Sequence, residues 1–177
     1  MTVKLQSERT TRPSRHHGAR TVSEILAQLE EHPRRLSDLA ARLPRERLND
    51  VPCLGTWTAN DVLVHLRCCA EAGAAAMRGL ASVEGAVVRF VGPRTLIEQV
   101  DYRDRDFADN LRALKRQRVD VLALLRGLPR GRWSRPGRTS DGGPARDRTI
   151  LDYGQWLARH EHNHVEALER FAKRRAR

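Results

Sequence analysis

Four stretches of the 177-residue chain carry apolar side chains at alternating steps of three and four, the spacing that gathers them on one face of an α-helix. The first runs from about Val22 to Leu43 along Val22, Ile25, Leu29, Leu36, Leu39 and Leu43, with Pro33 expected to kink or interrupt it. The second runs from about Thr58 to Leu80 along Val62, Leu66, Cys69, Gly73, Met77 and Leu80. The third covers about Arg105 to Leu128 along Phe107, Leu111, Leu114, Val121, Leu125 and Leu128. The fourth starts at Thr149 and runs into the basic C-terminus along Ile150, Tyr153, Leu157, Ala167, Leu168 and Phe171. No convincing strand is visible. A helix with one apolar stripe must bury it against another, and four such helices make an all-α four-helix bundle.

Three of these stretches open on a capping box, in which a Thr hydroxyl and an acid three residues on satisfy each other's orphan N–H groups. They are Thr21–Glu24, Thr58–Asp61 and Thr149–Asp152. The connections are unequal. Residues 44 to 57 form a loop holding Pro44 and Pro52, and Ala81 to Asp104 is long enough to cross the length of a bundle. Residues 129 to 148, rich in Gly, Pro and Arg, are expected to be irregular and mobile. A long second connection lets the second and third helices run parallel, which departs from simple up-down-up-down order.

The domain is therefore expected over residues 21–172, between a flexible basic tail at 1–20 and a short basic tail at 173–177. Charge supports that division. The formal net charge is +11, and the ends supply eight of those charges: Lys4, Arg9, Arg12, Arg15 and Arg20 against Glu8, then Lys173, Arg174, Arg175 and Arg177. Basic tails can hold a phosphate backbone through counterion release, but the body of the chain is only mildly basic, so nucleic acid is not the favoured partner. No apolar run approaches the ~20 residues of a membrane span, and no apolar segment follows the basic start as in a secretory leader. Three cysteines, Cys53, Cys68 and Cys69, cannot all pair and show no CxxC spacing, which suits a reducing cytoplasm. An exposed helix face leaves a homodimer open.

The chemistry-bearing residues lie on the second and fourth helices. His160 and His164 are four apart, one helical turn, the spacing with which two imidazoles chelate one ion. Steps of three and four from Ile150, Tyr153 and Leu157 land on both, so they are expected on the buried seam, with His162 turned to solvent. His65 lies beside the seam of the second helix. Buried imidazoles need partners for their ring nitrogens, and three of them from two facing helices meet that need by sharing a metal. Three protein nitrogens leave a coordination position open, the pattern of catalytic rather than structural sites.

Other residues carry two readings each. Arg118 falls on the third-helix seam, where it either grips a carboxylate of a substrate or thiol cofactor or forms an internal ion pair or snorkels; the internal reading is preferred. Cys69, four after His65, is preferred as a small buried residue over a fourth ligand or reactive thiol. Glu161 either orients an imidazole or, the preferred reading, lies on a solvated helix face. Trp57, Trp133 and Trp156 read as packing anchors.

The segment Gly55-Thr56-Trp57-Thr58-Ala59-Asn60-Asp61-Val62-Leu63-Val64-His65-Leu66 resembles the first signature of the DinB-like (damage-inducible) superfamily. Tyr153 to Leu168, with His160-x-x-x-His164, resembles its last-helix signature, and Phe107-Ala108-Asp109-Asn110-Leu111 with Arg116-Gln117-Arg118 its third helix. The resemblance covers roughly residues 21 to 171 and places His65, His160 and His164 at the family's ligand positions. It implies an up-down-down-up bundle and one divalent transition metal: zinc, nickel, iron or manganese. It further implies an enzyme that activates a low-molecular-weight thiol for transfer to a small electrophilic substrate, with metal-assisted hydrolysis as runner-up. The alternative from another class is a non-catalytic stress-response or nucleic-acid-associated bundle.

Overall fold

The computed structural model describes residues 20–82, 87–99 and 104–174. The basic segments 1–19 and 175–177, and residues 83–86 and 100–103 of the long second connection, lie outside them. The chain order is α1 (Val22–Arg42), α2 (Arg45–Asn49), β1 (Pro52–Leu54), β2 (Trp57–Thr58), α3 (Ala59–Ser82) and β3 (Val87–Arg89). Next come α4 (Pro93–Gln99), α5 (Phe107–Arg126), α6 (Arg130–Ser134), β4 (Gly137–Ser140), β5 (Arg146–Arg148) and α7 (Ile150–Lys173).

The long helices α1, α3, α5 and α7 grow from the four apolar stripes, and all three Thr-acid boxes close as reciprocal hydrogen bonds. Their contacts fix the topology. Ile25 lies against Gly154, and further along Arg35 grips Glu169 through two bonds of 2.8 and 2.7 Å, so α1 and α7 run parallel. Asn110 donates to Asn60 at 2.9 Å near the starts of α3 and α5, while Met77 and Leu80 share an apolar cluster with Val121 and Leu125 near their ends, so these two are parallel as well. His65 meets His160 and Gly73 meets Leu157, which makes α3 and α7 antiparallel. The bundle is up-down-down-up.

Its core divides into two apolar clusters. One holds Ile25, Leu29, Val121, Leu125 and Leu157; the other holds Leu36, Leu39, Leu111, Leu114 and Leu168. Between them on α1, α5 and α7 lie His32, Arg118 and Glu161, all buried. A polar layer therefore crosses the middle of the bundle.

Several expectations need correcting. Strands exist, in two small sheets: β1 and β2 form an antiparallel hairpin turned by Gly55 (φ 59°), and β3–β4–β5 form a mixed sheet in which β3 pairs parallel to β4. Each is four residues or shorter, too brief for a two-residue period to show in sequence. Residues 129 to 148 are not irregular throughout, since α6 buries Trp133 and β4 and β5 follow it. Pro33 does not interrupt α1, which continues to Arg42 with the Ser37 hydroxyl donating to the Pro33 carbonyl at 2.7 Å. Among the described residues no helix is long and apolar enough to cross a membrane.

Candidate metal centre

His65 sits in the second turn of α3, downstream of the Thr58–Asp61 box; His160 and His164 stand one turn apart in α7, downstream of the Thr149–Asp152 box. Because α3 and α7 are antiparallel neighbours, the three rings converge although 95 residues separate the first two in sequence. The Nε2 atoms of His65 and His160 are 2.8 Å apart, and one ring nitrogen from each of the three lies within 4.8 Å of the others. Tetrahedral coordination at metal–nitrogen distances of about 2.0–2.1 Å sets nitrogens about 3.4 Å apart, inside that range. His164 is buried, while His65 and His160 are half-buried, so the cluster opens toward the surface.

Burial favours neutral rings. It pushes the pKa of His65 down to about 3, helped by repulsion from His164 and His160, and that of His164 down to about 4, helped by His160 and opposed by Glu161. Neutral imidazole is the form that ligates. The donor set thus suits a borderline divalent ion, and the residues present fit one.

The surroundings sort the remaining candidates. Arg118 takes the internal reading: it pairs with Glu161 in the core through Nη2 and Oε1. Glu161 is no solvated acid. It is 1% exposed, and its second oxygen accepts from Nδ1 of His32 at 3.1 Å. Desolvation raises its pKa, but Arg118 and His32 together outweigh that and hold it below the ordinary carboxylate value. Cys69 is fully buried, with Sγ 3.5 Å from Nε2 of His65; burial first, then Glu161 and Cys68, push its pKa well up. A buried neutral thiol is the consequence.

The tryptophans divide. Trp133 is a core anchor. Trp57 packs on His65 with ring centroids 5.4 Å apart, and Trp156 stacks on His160 at 5.8 Å and 17°. His162 is half-buried rather than fully solvent-facing; it lies 3.2 Å from Glu166 and its ring is 5.9 Å from that of His32. Two participants had no place in the sequence reading. His32 continues the α1 stripe between Leu29 and Leu36, so its seam position was readable from spacing. Phe90, which packs on Tyr153 and Trp156, follows a three-residue strand and gives no comparable signal.

Against known proteins, the family model of the DinB superfamily matches residues 28–168. The fold is shared with YfiT from Bacillus subtilis, described as a probable metal-dependent hydrolase with an unusual four-helix bundle topology. The TM-score is 0.72 at 21% identity over 92% of this chain and 91% of that one. It is also shared with the mycothiol-dependent maleylpyruvate isomerase, with a TM-score of 0.66 at 14% identity over 84% of this chain and 61% of that one. No curated protein sequence matches. With the family pattern spanning α1 to α7 and the bundle topology in agreement, this chain belongs to the DinB superfamily.

Proposed function

We propose that this protein is a metal-dependent enzyme in which His65, His160 and His164 hold one divalent transition metal, and that it directs a thiol or a water onto a small electrophilic substrate. The observation that carries this reading is the convergence of three imidazoles, two of them held neutral by burial, at a place that opens to the surface. Such an ion supplies Lewis acidity, which lowers the pKa of a neighbouring water or thiol enough to make a nucleophile at neutral pH.

The chain's own residues supply the rest. The α3–α7 pairing sets the spacing of the donors. Trp156 lies flat on His160 and Trp57 packs on His65, restricting both rings to few orientations. Glu161 spends one carboxylate oxygen on Arg118 and the other on His32, so its carboxylate does not compete for the ion. Cys69 lies fully buried beside the cluster, its Sγ 3.5 Å from Nε2 of His65.

Both nucleophiles have support among proteins of this fold: YfiT is described as a probable metal-dependent hydrolase, and the second structural neighbour is mycothiol-dependent. The test is incubation of metal-loaded protein with a generic electrophile, with and without several low-molecular-weight thiols. Adduct formation above the uncatalysed rate with a thiol supports transfer, and thiol-independent consumption supports hydrolysis. No acceleration in either arm, for protein shown to hold its metal, contradicts an enzymatic role.

A further inference from the structure

The chain has only three Trp, two Tyr and three Phe. Phe107, Trp133 and Phe171 are buried in the core. Four of the others, Trp57, Phe90, Tyr153 and Trp156, are each half-buried; Trp57 and Trp156 pack on histidines of the cluster, and Phe90 and Tyr153 continue from Trp156. Trp57 touches His65, Trp156 stacks on His160, Phe90 stands perpendicular to Trp156 with centroids 6.1 Å apart, and Phe90 lies 5.4 Å from Tyr153. Three separate segments deliver them: the β1–β2 hairpin, the end of β3 and the first half of α7.

The placement is built. The Phe90 N–H donates to the Ser140 carbonyl at 2.8 Å, extending the β3–β4 pairing, and the Tyr153 hydroxyl bonds Thr139 on β4 at 3.3 Å. At Gly79 a Cβ would come within 2.6 Å of Val88, so the glycine lets β3 close onto α3. At Gly73 a Cβ would lie 3.3 Å from the Trp156 ring, so this glycine leaves room for the indole beside α3. Tyr153 and Trp156 rest on one core cluster and Trp57 on the other. These four keep part of their surface exposed, and two of them, Trp57 and Trp156, pack directly on the imidazoles.

We propose that the small molecule handled at this cluster carries a planar apolar group, an aryl ring or a conjugated system, seated against Phe90 and Trp156. Binding sites that combine apolar and aromatic walls with a few fixed polar groups orient ligands in this way. The inference rests on the metal-dependent reading of the cluster and adds the class of substrate.

Its test uses two chelators that share a metal-binding head and differ in tail, acetohydroxamate and benzohydroxamate. Protein loaded with one equivalent of Co(II) is titrated with each by calorimetry, and the affinity ratio is compared with that of the aqueous ion. The expected result is a benzohydroxamate preference at least ~10-fold above the aqueous ratio, reduced to ~2-fold or less in Phe90→Ala and to an intermediate value in Phe90→Leu. Phe90→Leu keeps apolar bulk, so it reports the ring's contribution if the alanine variant fails to fold. Binding of both chelators at the aqueous ratio overturns the inference and leaves the metal reading intact, as does a preference unchanged in Phe90→Leu. A protein that takes up no cobalt contradicts the metal reading, and the inference with it.

Discussion

Glu161 follows His160 directly, yet the ~100° step between consecutive helix residues sends the two side chains to different parts of the molecule. His160 faces α3, while Glu161 enters the polar layer to meet Arg118 and His32. A buried ion pair costs most when it is broken on one side, because an uncompensated charge remains. Glu161→Ala is therefore expected to lose about 3–5 kcal/mol in urea denaturation, and the double variant Glu161→Met with Arg118→Met to recover most of that loss. Equal losses in both would show that packing, not charge, sets the cost.

The histidines make a separate residue-scale prediction. The folded-state pKa values of His65, about 3, and His164, about 4, lie below the ~6.5 of an unfolded histidine. Between those limits the unfolded chain binds protons that the folded chain refuses. The stability contributed is complete above pH ~6.5 and declines as pH falls from there toward 4, by up to ~1.4 kcal/mol per pH unit for each histidine. Urea midpoints of chelator-treated protein should drop between pH 7 and pH 5, and His164→Asn should flatten that dependence.

At the scale of elements, short signals decide where helices begin and what packs on them. Thr149→Ala removes the hydroxyl that accepts from the Asp152 N–H at 3.0 Å and should cost about 1 kcal/mol. Gly79→Leu drives a side chain into Val88 and should cost about 1–3 kcal/mol by thermal melting, while increasing near-ultraviolet signs of Phe90 and Trp156 mobility. Elements of this kind also explain what could be read in advance. The four long helices were legible because each repeats its apolar face over five or more turns and three carry Thr caps. The phase of α7 was less so. Its buried seam runs Ile150, Gly154, Leu157, Glu161, His164, Leu168 and Phe171, so reading from Tyr153 instead of Gly154 put His160 on the central seam and Glu161 in solvent. A glycine and an acid do not look like core residues, and only their partners, Ile25 and Trp133 for one and Arg118 and His32 for the other, make them so. The short strands were not legible at all; β3, for one, is specified by pairing with β4 some 50 residues away and not by any pattern of its own.

For the whole molecule, up-down-down-up order is what turns distant sequence into one site. It makes α3 and α7 antiparallel neighbours and sets α1 beside α7, so the last helix presents its histidines to α3 and Glu161 to the interior. The long second connection is what permits two parallel helices in succession. An ion shared by His65, His160 and His164 would cross-link the second and last long helices, and a ligand bound only by the folded state stabilises it, by about 2.7 kcal/mol when free ligand is 100-fold above Kd. Metal loading is accordingly expected to raise the melting temperature of the native chain and to leave that of His160→Ala unchanged.

The central claim is most directly tested by metal stoichiometry. Protein stripped with a chelator, reloaded with zinc, nickel, iron or manganese and dialysed should retain about one equivalent of at least one of these ions, and His160→Ala should retain less than ~0.2. Retention below ~0.2 equivalents of every ion by the native chain, or retention undiminished in the variant, would contradict the three-histidine centre.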